Sequence, residues 1–219
     1  MGLLISGTGV EAGRATISCA LAFAFKVRGM RVGVMKPVET GCPERNGCLE
    51  APGALALAES ASAVHPLEMI CPYRYRAALP PAAAAAADGL GAPDLARIEV
   101  LYRRIAAESD VVIVDGGADL ATPLGERNDY AALAARLGLA VVLAAANGAA
   151  CVNDTLRALE YAARRALVLR GYIVIDAAPA PPGAAQAAAA ALSLRTPVPC
   201  LGVVRHKEPL GVAIVERLL

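Results

Sequence analysis

Between Gly7 and Thr16 the chain reads GTGVEAGRAT. This stretch lies between a short apolar run and a helix-like segment, the setting that a phosphate-binding loop needs. Backbone N–H groups at a helix N-terminus meet an anion there, and glycine permits close approach. The generic loop is G-x-x-x-x-G-K followed by Ser or Thr. Here Arg14 stands for the lysine, Ala15 for the hydroxyl residue, and the leading Gly7 comes one place early. By spacing alone the match fails, and a structural turn is the ordinary reading. Asp115 closes the unbroken β-branched run Val111 to Val114, the mark of a strand covered on both faces. Zinc chemistry is not indicated. The six cysteines form no C-x-x-C pair and only His65 and His206 are present, so six free thiols are expected.

The elements that must position these residues are short strands alternating with helices. Gly2–Ser6 reads as a buried strand and Ala15–Arg28 as a helix closed by Gly29. Arg31–Lys36 is a second strand, stopped by Pro37, and Glu39–Gly53 is loop-like. Helices are expected over Ala54–Ala63, Asp94–Glu108, Tyr130–Leu137, Asn153–Leu169 and Ala184–Leu194. Strands are expected over Val111–Val114, Leu139–Leu143, Gly171–Ile175 and Pro199–Val204, and Tyr73–Pro81 reads as irregular. Fully apolar strands alternating with helices predict an α/β fold: a P-loop NTPase-like, mostly parallel sheet with helices on both faces. Ligands in such folds sit beyond the carboxyl ends of the strands. The turns after Ser6, Lys36, Val114, Leu143 and Ile175 are therefore the places to search.

Composition narrows the classes. A chain of 219 residues, 57% hydrophobic and 19% charged, suits one domain over residues 1–219 with a sizeable core. With 21 basic and 20 acidic residues there is no electrostatic footprint for nucleic acid or an anionic membrane. No apolar run reaches the roughly 18 to 20 residues of a membrane span, and the start MGLLISGTG lacks the features of a signal peptide. A cytoplasmic protein is expected.

Five stretches in this order and spacing resemble dethiobiotin synthetase: GLLISGTGVEAGRATISCALA, RGMRVGVMKPVETGC, PYRYRAALPP, DVVIVDGGADLATPL and VPCLGVV. The resemblance covers nearly the whole chain, and MKPVETG at Met35 to Gly41 is its most specific piece. It implies a reaction that converts 7,8-diaminononanoate, carbon dioxide and ATP with magnesium to dethiobiotin, ADP and phosphate. A carbamate forms on one amine, ATP phosphorylates it, and the second amine closes the ring. By the same resemblance Lys36 and Arg14 are the catalytic cations. Gly7, Thr8, Gly9, Val10, Glu11, Ala12, Gly13, Arg14, Ala15 and Thr16 hold the triphosphate, with Asp176 at the base. Thr40, Gly116, Gly117 and Asn153 meet the substrate, Asn153 from the partner subunit of a homodimer. Asp115 and Thr16 are left as the metal residues.

The departures from the family pattern gather at the chemistry. Arg14 replaces the phosphate lysine and Ala15 the threonine that ligates magnesium. Gly53 replaces the aspartate that completes the metal site, and Ile175 the asparagine that reads adenine. Ala82 stands where the family often has His, and Ala118 and Asp119 replace glycines. Three readings stay open: a dethiobiotin synthetase with an altered and slow site, a catalytically inactive relative that binds a nucleotide, a small acid or a protein partner, or a different P-loop ATPase of the same broad group, which is disfavoured because MKPVETG is not a general ATPase feature.

Overall fold

The computed structural model describes residues 1–9 and 12–219; Val10 and Glu11, both expected in the phosphate loop, lie outside the described residues. Six strands form one parallel sheet: β1 (Gly2–Gly7), β2 (Val32–Met35), β7 (Val111–Asp115), β8 (Ala140–Ala146), β9 (Leu169–Ile175) and β10 (Cys200–Val204). Their order is β10-β9-β8-β1-β7-β2. All five pairings are parallel. Helices α1 (Arg14–Val27), α2 (Pro52–Ala61), α5 (Leu95–Ala107), α6 (Tyr130–Leu137), α7 (Cys151–Arg164) and α8 (Ala184–Ser193) form the connections, with short helices α3 (Leu67–Ile70), α4 (Pro81–Ala87) and α9 (Val212–Glu216) beside them.

Two apolar clusters account for the unbroken hydrophobic strands. Leu4, Val112, Val114, Leu143 and Val174 face one side, packed with residues of α5 to α8. Leu3, Ile5, Ile113, Val142 and Ile173 face the other, with residues of α1, α2 and α9. Alternation along each strand is thus apolar on both faces, which only a sheet covered on both sides requires. No helix among the described residues is long and apolar enough to cross a membrane. The six cysteines are free.

The main expected elements are present, the short helices α3 and α9 come in addition, and three of the stretches named above differ. The stretch read as a loop over residues 39–53 carries β3 (Val38–Thr40), a two-residue hairpin of β4 (Glu44–Arg45) and β5 (Cys48–Leu49), and the start of α2. The segment read as irregular contains β6 (Tyr73–Tyr75), which pairs in parallel with β3 from Val38↔Tyr73 to Thr40↔Tyr75. Strands of three residues show no periodicity, and only the tertiary pairing defines them. The long helix expected to reach Leu169 ends at Arg164 instead, because Ala166 turns left-handed at φ 52° and Leu169 already opens β9.

Two outcomes follow from this frame. Ile113 is fully buried in β7. Ile113→Ala removes packing on a central strand, and urea denaturation is expected to show a loss of about 2–5 kcal/mol. At the sheet edge, hydrogen bonds from the Arg31 guanidinium, and then from its backbone N–H, lower the Asp110 carboxyl to about 2. Because the folded value lies below the unfolded value of about 3.9, the stabilisation is complete above that value. It is lost as pH falls through about 2. In acid titrations followed by thermal unfolding, Asp110→Asn and the parent should differ near neutrality and converge as that carboxyl protonates.

Candidate active site

The carboxyl ends of β1, β2 and β7 converge on one buried acid. Asp115 ends β7 and is 2% exposed. Lys36, the residue after β2, places Nζ 2.7 Å from Asp115 Oδ2. On the other oxygen, Ser18 Oγ donates at 3.1 Å and Arg14 Nη1 stands at 3.2 Å. Arg14 and Ser18 are four residues apart, so they share one face of α1. That spacing was the available signal for Ser18, which the sequence reading missed. Lys36 is fixed from behind as well: its N–H donates to Ile70 O at the end of α3, at 2.9 Å.

The phosphate-type loop is stitched to the neighbouring strands. Gly7 N–H donates to Gly117 O at 3.2 Å, Thr8 N–H to Ala144 O at 3.1 Å and Gly9 N–H to Ala118 O at 2.9 Å. A Cβ on Gly7 would stand 2.5 Å from Ala118 O, so this approach needs glycine. Gly13 caps α1 at φ 71°, and a Cβ there would meet Ile175 Cδ1 at 2.7 Å. The buried Ala12 precedes it. Ile17 N–H is bonded to Gly13 O at 3.1 Å, and the N–H groups ahead of it occupy positions where a helix has no internal acceptor. Ala15 and Thr16 are exposed on this first turn.

Arg14, Lys36, Thr40, Gly116 and Gly117 line one cavity of about 500 Å³. That volume is in the range of small-molecule sites. Val38, Leu79, Pro80 and Pro81 supply apolar wall, and Glu39, Thr122 and Tyr130 supply polar groups that the sequence reading missed. The two glycines answer to packing: a Cβ would lie 2.9 Å from Ile5 O at Gly116 and 2.5 Å from the Tyr130 ring at Gly117. Burial pushes the Tyr130 hydroxyl well above its ordinary range, against an opposing pull from Arg14. It stays a neutral donor at neutral pH.

Glu39 has a structural task of its own. Its carboxylate accepts from Gly53 N–H and Ala54 N–H, each at 2.8 Å. These are first-turn donors of α2, whose Ala51 cap has no side chain to offer. The acid from β3 therefore closes the helix end. A Cβ on Gly53 would stand 3.0 Å from Glu39 Oε1 and 3.1 Å from Lys36 Nζ.

Of the expected residues, Gly7, Thr8, Gly9, Ala12, Gly13, Ala15, Thr16, Asp115, Asn153 and Asp176 are not part of this cavity's lining. Asn153 is exposed in the first turn of α7. Asp176 follows β9 and accepts from Asn147 Nδ2 at 2.6 Å, with its own N–H on Val204 O at 2.9 Å. Thr8 lines a separate recess of about 260 Å³ with Asp119, Asp154, Arg157 and Tyr161.

The donors present do not fit a magnesium ion held by the protein. Both Asp115 oxygens already face N–H or O–H donors, and both Glu39 oxygens are bonded to backbone. Among the described residues no group of three or more His, Cys, Asp or Glu could hold a metal.

Comparison with known proteins agrees with the arrangement. A family described as an AAA domain matches residues 1–213. The chain is 35% identical over 211 residues to the ATP-dependent dethiobiotin synthetase BioD of Anaeromyxobacter dehalogenans, covering 96% of this chain and 88% of that protein. It is 35% identical over 217 residues to the protein of the same name from Aromatoleum aromaticum, covering 98% and 96%. Among solved structures, the fold is similar to the Pyrococcus furiosus cell division ATPase MinD, with TM-score 0.54, 18% identity and coverage of 100% and 98%. It is also similar to cobyrinic acid a,c-diamide synthase from Mycobacterium smegmatis, with TM-score 0.55, 14% identity and coverage of 100% and 92%. The two solved structures share the α/β fold alone; by its identity to the curated relatives, over nearly their full length, the chain belongs to the dethiobiotin synthetase family.

Proposed function

We propose that this chain is an ATP-dependent dethiobiotin synthetase acting on 7,8-diaminononanoate and carbon dioxide. The observation that carries the reading is Lys36, held 2.7 Å from Asp115 at the wall of the cavity that adjoins the phosphate-type loop. One substrate amine attacks carbon dioxide and loses a proton, giving a carbamate. A carbamate oxygen attacks the γ-phosphorus of ATP and ADP leaves. The second amine attacks the resulting acyl phosphate, phosphate leaves, and the ureido ring closes.

The residues divide these tasks by charge and position. The Gly7 to Thr16 loop holds the triphosphate at the start of α1. Lys36 and Arg14 meet the carbamate and the developing phosphoryl charge, and fixed cations in a partly dry site are worth more there than in water. Asp115 keeps Lys36 in place between substrate and nucleotide. The Thr40 hydroxyl and the backbone at Gly116 and Gly117 meet the diamine, with Tyr130 as a neutral donor. Asp176, oriented by Asn147, stands at the base. The exposed Asn153 suits a contribution to the partner subunit's site in a homodimer. No residue of the site is assigned to magnesium. The protein is read as one cytoplasmic domain over residues 1–219, with no nucleic acid or membrane partner.

One observation favours a second reading, a relative that binds nucleotide without turnover: Arg14 is turned onto Asp115 at 3.2 Å. Incubating the protein with diaminononanoate, bicarbonate and ATP with magnesium separates the two. Dethiobiotin is the expected product. Lys36→Gln should lower kcat roughly 10²- to 10³-fold, while Asp115 keeps Arg14 and Ser18 as partners. ATP binding with no product under saturating substrates would establish the second reading in its place.

A further inference from the structure

The misfit between the donors and a magnesium ion has a positive counterpart in Arg14. We infer that the Arg14 guanidinium takes the position of the divalent cation in this chain, so that a nucleoside triphosphate is held here by protein cations and does not require bound magnesium. This rests on the nucleotide-binding reading above and adds to it how the anion is neutralised.

Four observations carry it. Arg14, Ser18 and Lys36 together occupy both oxygens of Asp115, at 3.2, 3.1 and 2.7 Å. A magnesium ion demands near-octahedral oxygens at about 2.0–2.1 Å. It could reach Asp115 only by displacing these donors, and it would then sit against two like charges. Gly53, next to Lys36 at the start of α2, has no side chain to offer, and the space where its Cβ would stand is 3.1 Å from Lys36 Nζ. The nearby Glu39 is bonded through both oxygens to the first turn of α2. Finally, Ala15 has no hydroxyl and Thr16 is exposed.

Arg14 has what the replacement needs. Its side chain is 21% exposed and lines the cavity wall. A guanidinium carries five N–H donors in a planar fork that matches phosphate oxygens two at a time. With Nη1 on Asp115, the remaining donors can serve phosphate. Asp115 then does for Arg14 what it does for Lys36: it orients a cation.

The test is calorimetric titration of the intact protein with ATP, once in excess EDTA and once in excess magnesium. The dissociation constants should agree within about threefold. Arg14→Ala should weaken binding in EDTA by about tenfold or more. The double variant Arg14→Lys with Ala15→Thr should bind ATP better with magnesium than without it. Binding by the parent that is at least about tenfold tighter with magnesium overturns the inference and leaves the synthetase reading standing. Unchanged EDTA affinity in Arg14→Ala overturns it as well. No ATP binding in either buffer overturns this inference and the synthetase reading together.

Discussion

A carboxylate removed from water must be supplied with partners or give up its charge. Asp115 is such a group, and its three partners come from two elements that the chain has to bring together. The end of β2 supplies Lys36, and one face of α1 supplies Arg14 and Ser18. Placing that one acid therefore fixes the phosphate-type loop against the sheet and sets the wall of the cavity. A buried ion pair is weak evidence of stability by itself, because desolvation offsets the attraction. Its value here is positional. Only the loss of both cations would leave the acid uncompensated, so the group that orients the chemistry also penalises any arrangement that draws Arg14 and Lys36 away together.

The central sheet was legible because a strand covered on both faces has no choice but to be apolar throughout. Val111 to Val114 between two aspartates, and Tyr130 to Leu137 before Gly138, could be placed closely. The overlong helix had a physical reason. Chain reversal at the end of α7 uses Ala166 in the left-handed region, where glycine would have been the visible signal. The pairing of β3 with β6 was hidden because each contributes three residues, and the partner lies over thirty positions away.

The candidate site was legible in its charged residues and not in its second partners. Arg14 stood out by its place in the loop, and Lys36 and Asp115 through the family resemblance, Lys36 within its most specific motif. Ser18 sits in an otherwise apolar helix and gains meaning only from the carboxylate it reaches. Glu39 lies within the most specific motif of the chain, yet nothing in the motif says that it closes a helix fourteen residues later. Gly116 and Gly117 show the converse. Sequence suggested room for a ligand, and the neighbouring Ile5 carbonyl and Tyr130 ring supply a sufficient packing reason.

The contact between Glu39 and Gly53 bears on how this sequence can change over time. A side chain at position 53 would begin about where the Glu39 carboxylate and the Lys36 ammonium now meet the helix start. An aspartate arriving there alone would press a second negative charge on Glu39 and compete for the same N–H donors. A side chain at position 53 therefore requires Glu39 or Lys36 to give way, and the two positions are coupled through the first turn of α2.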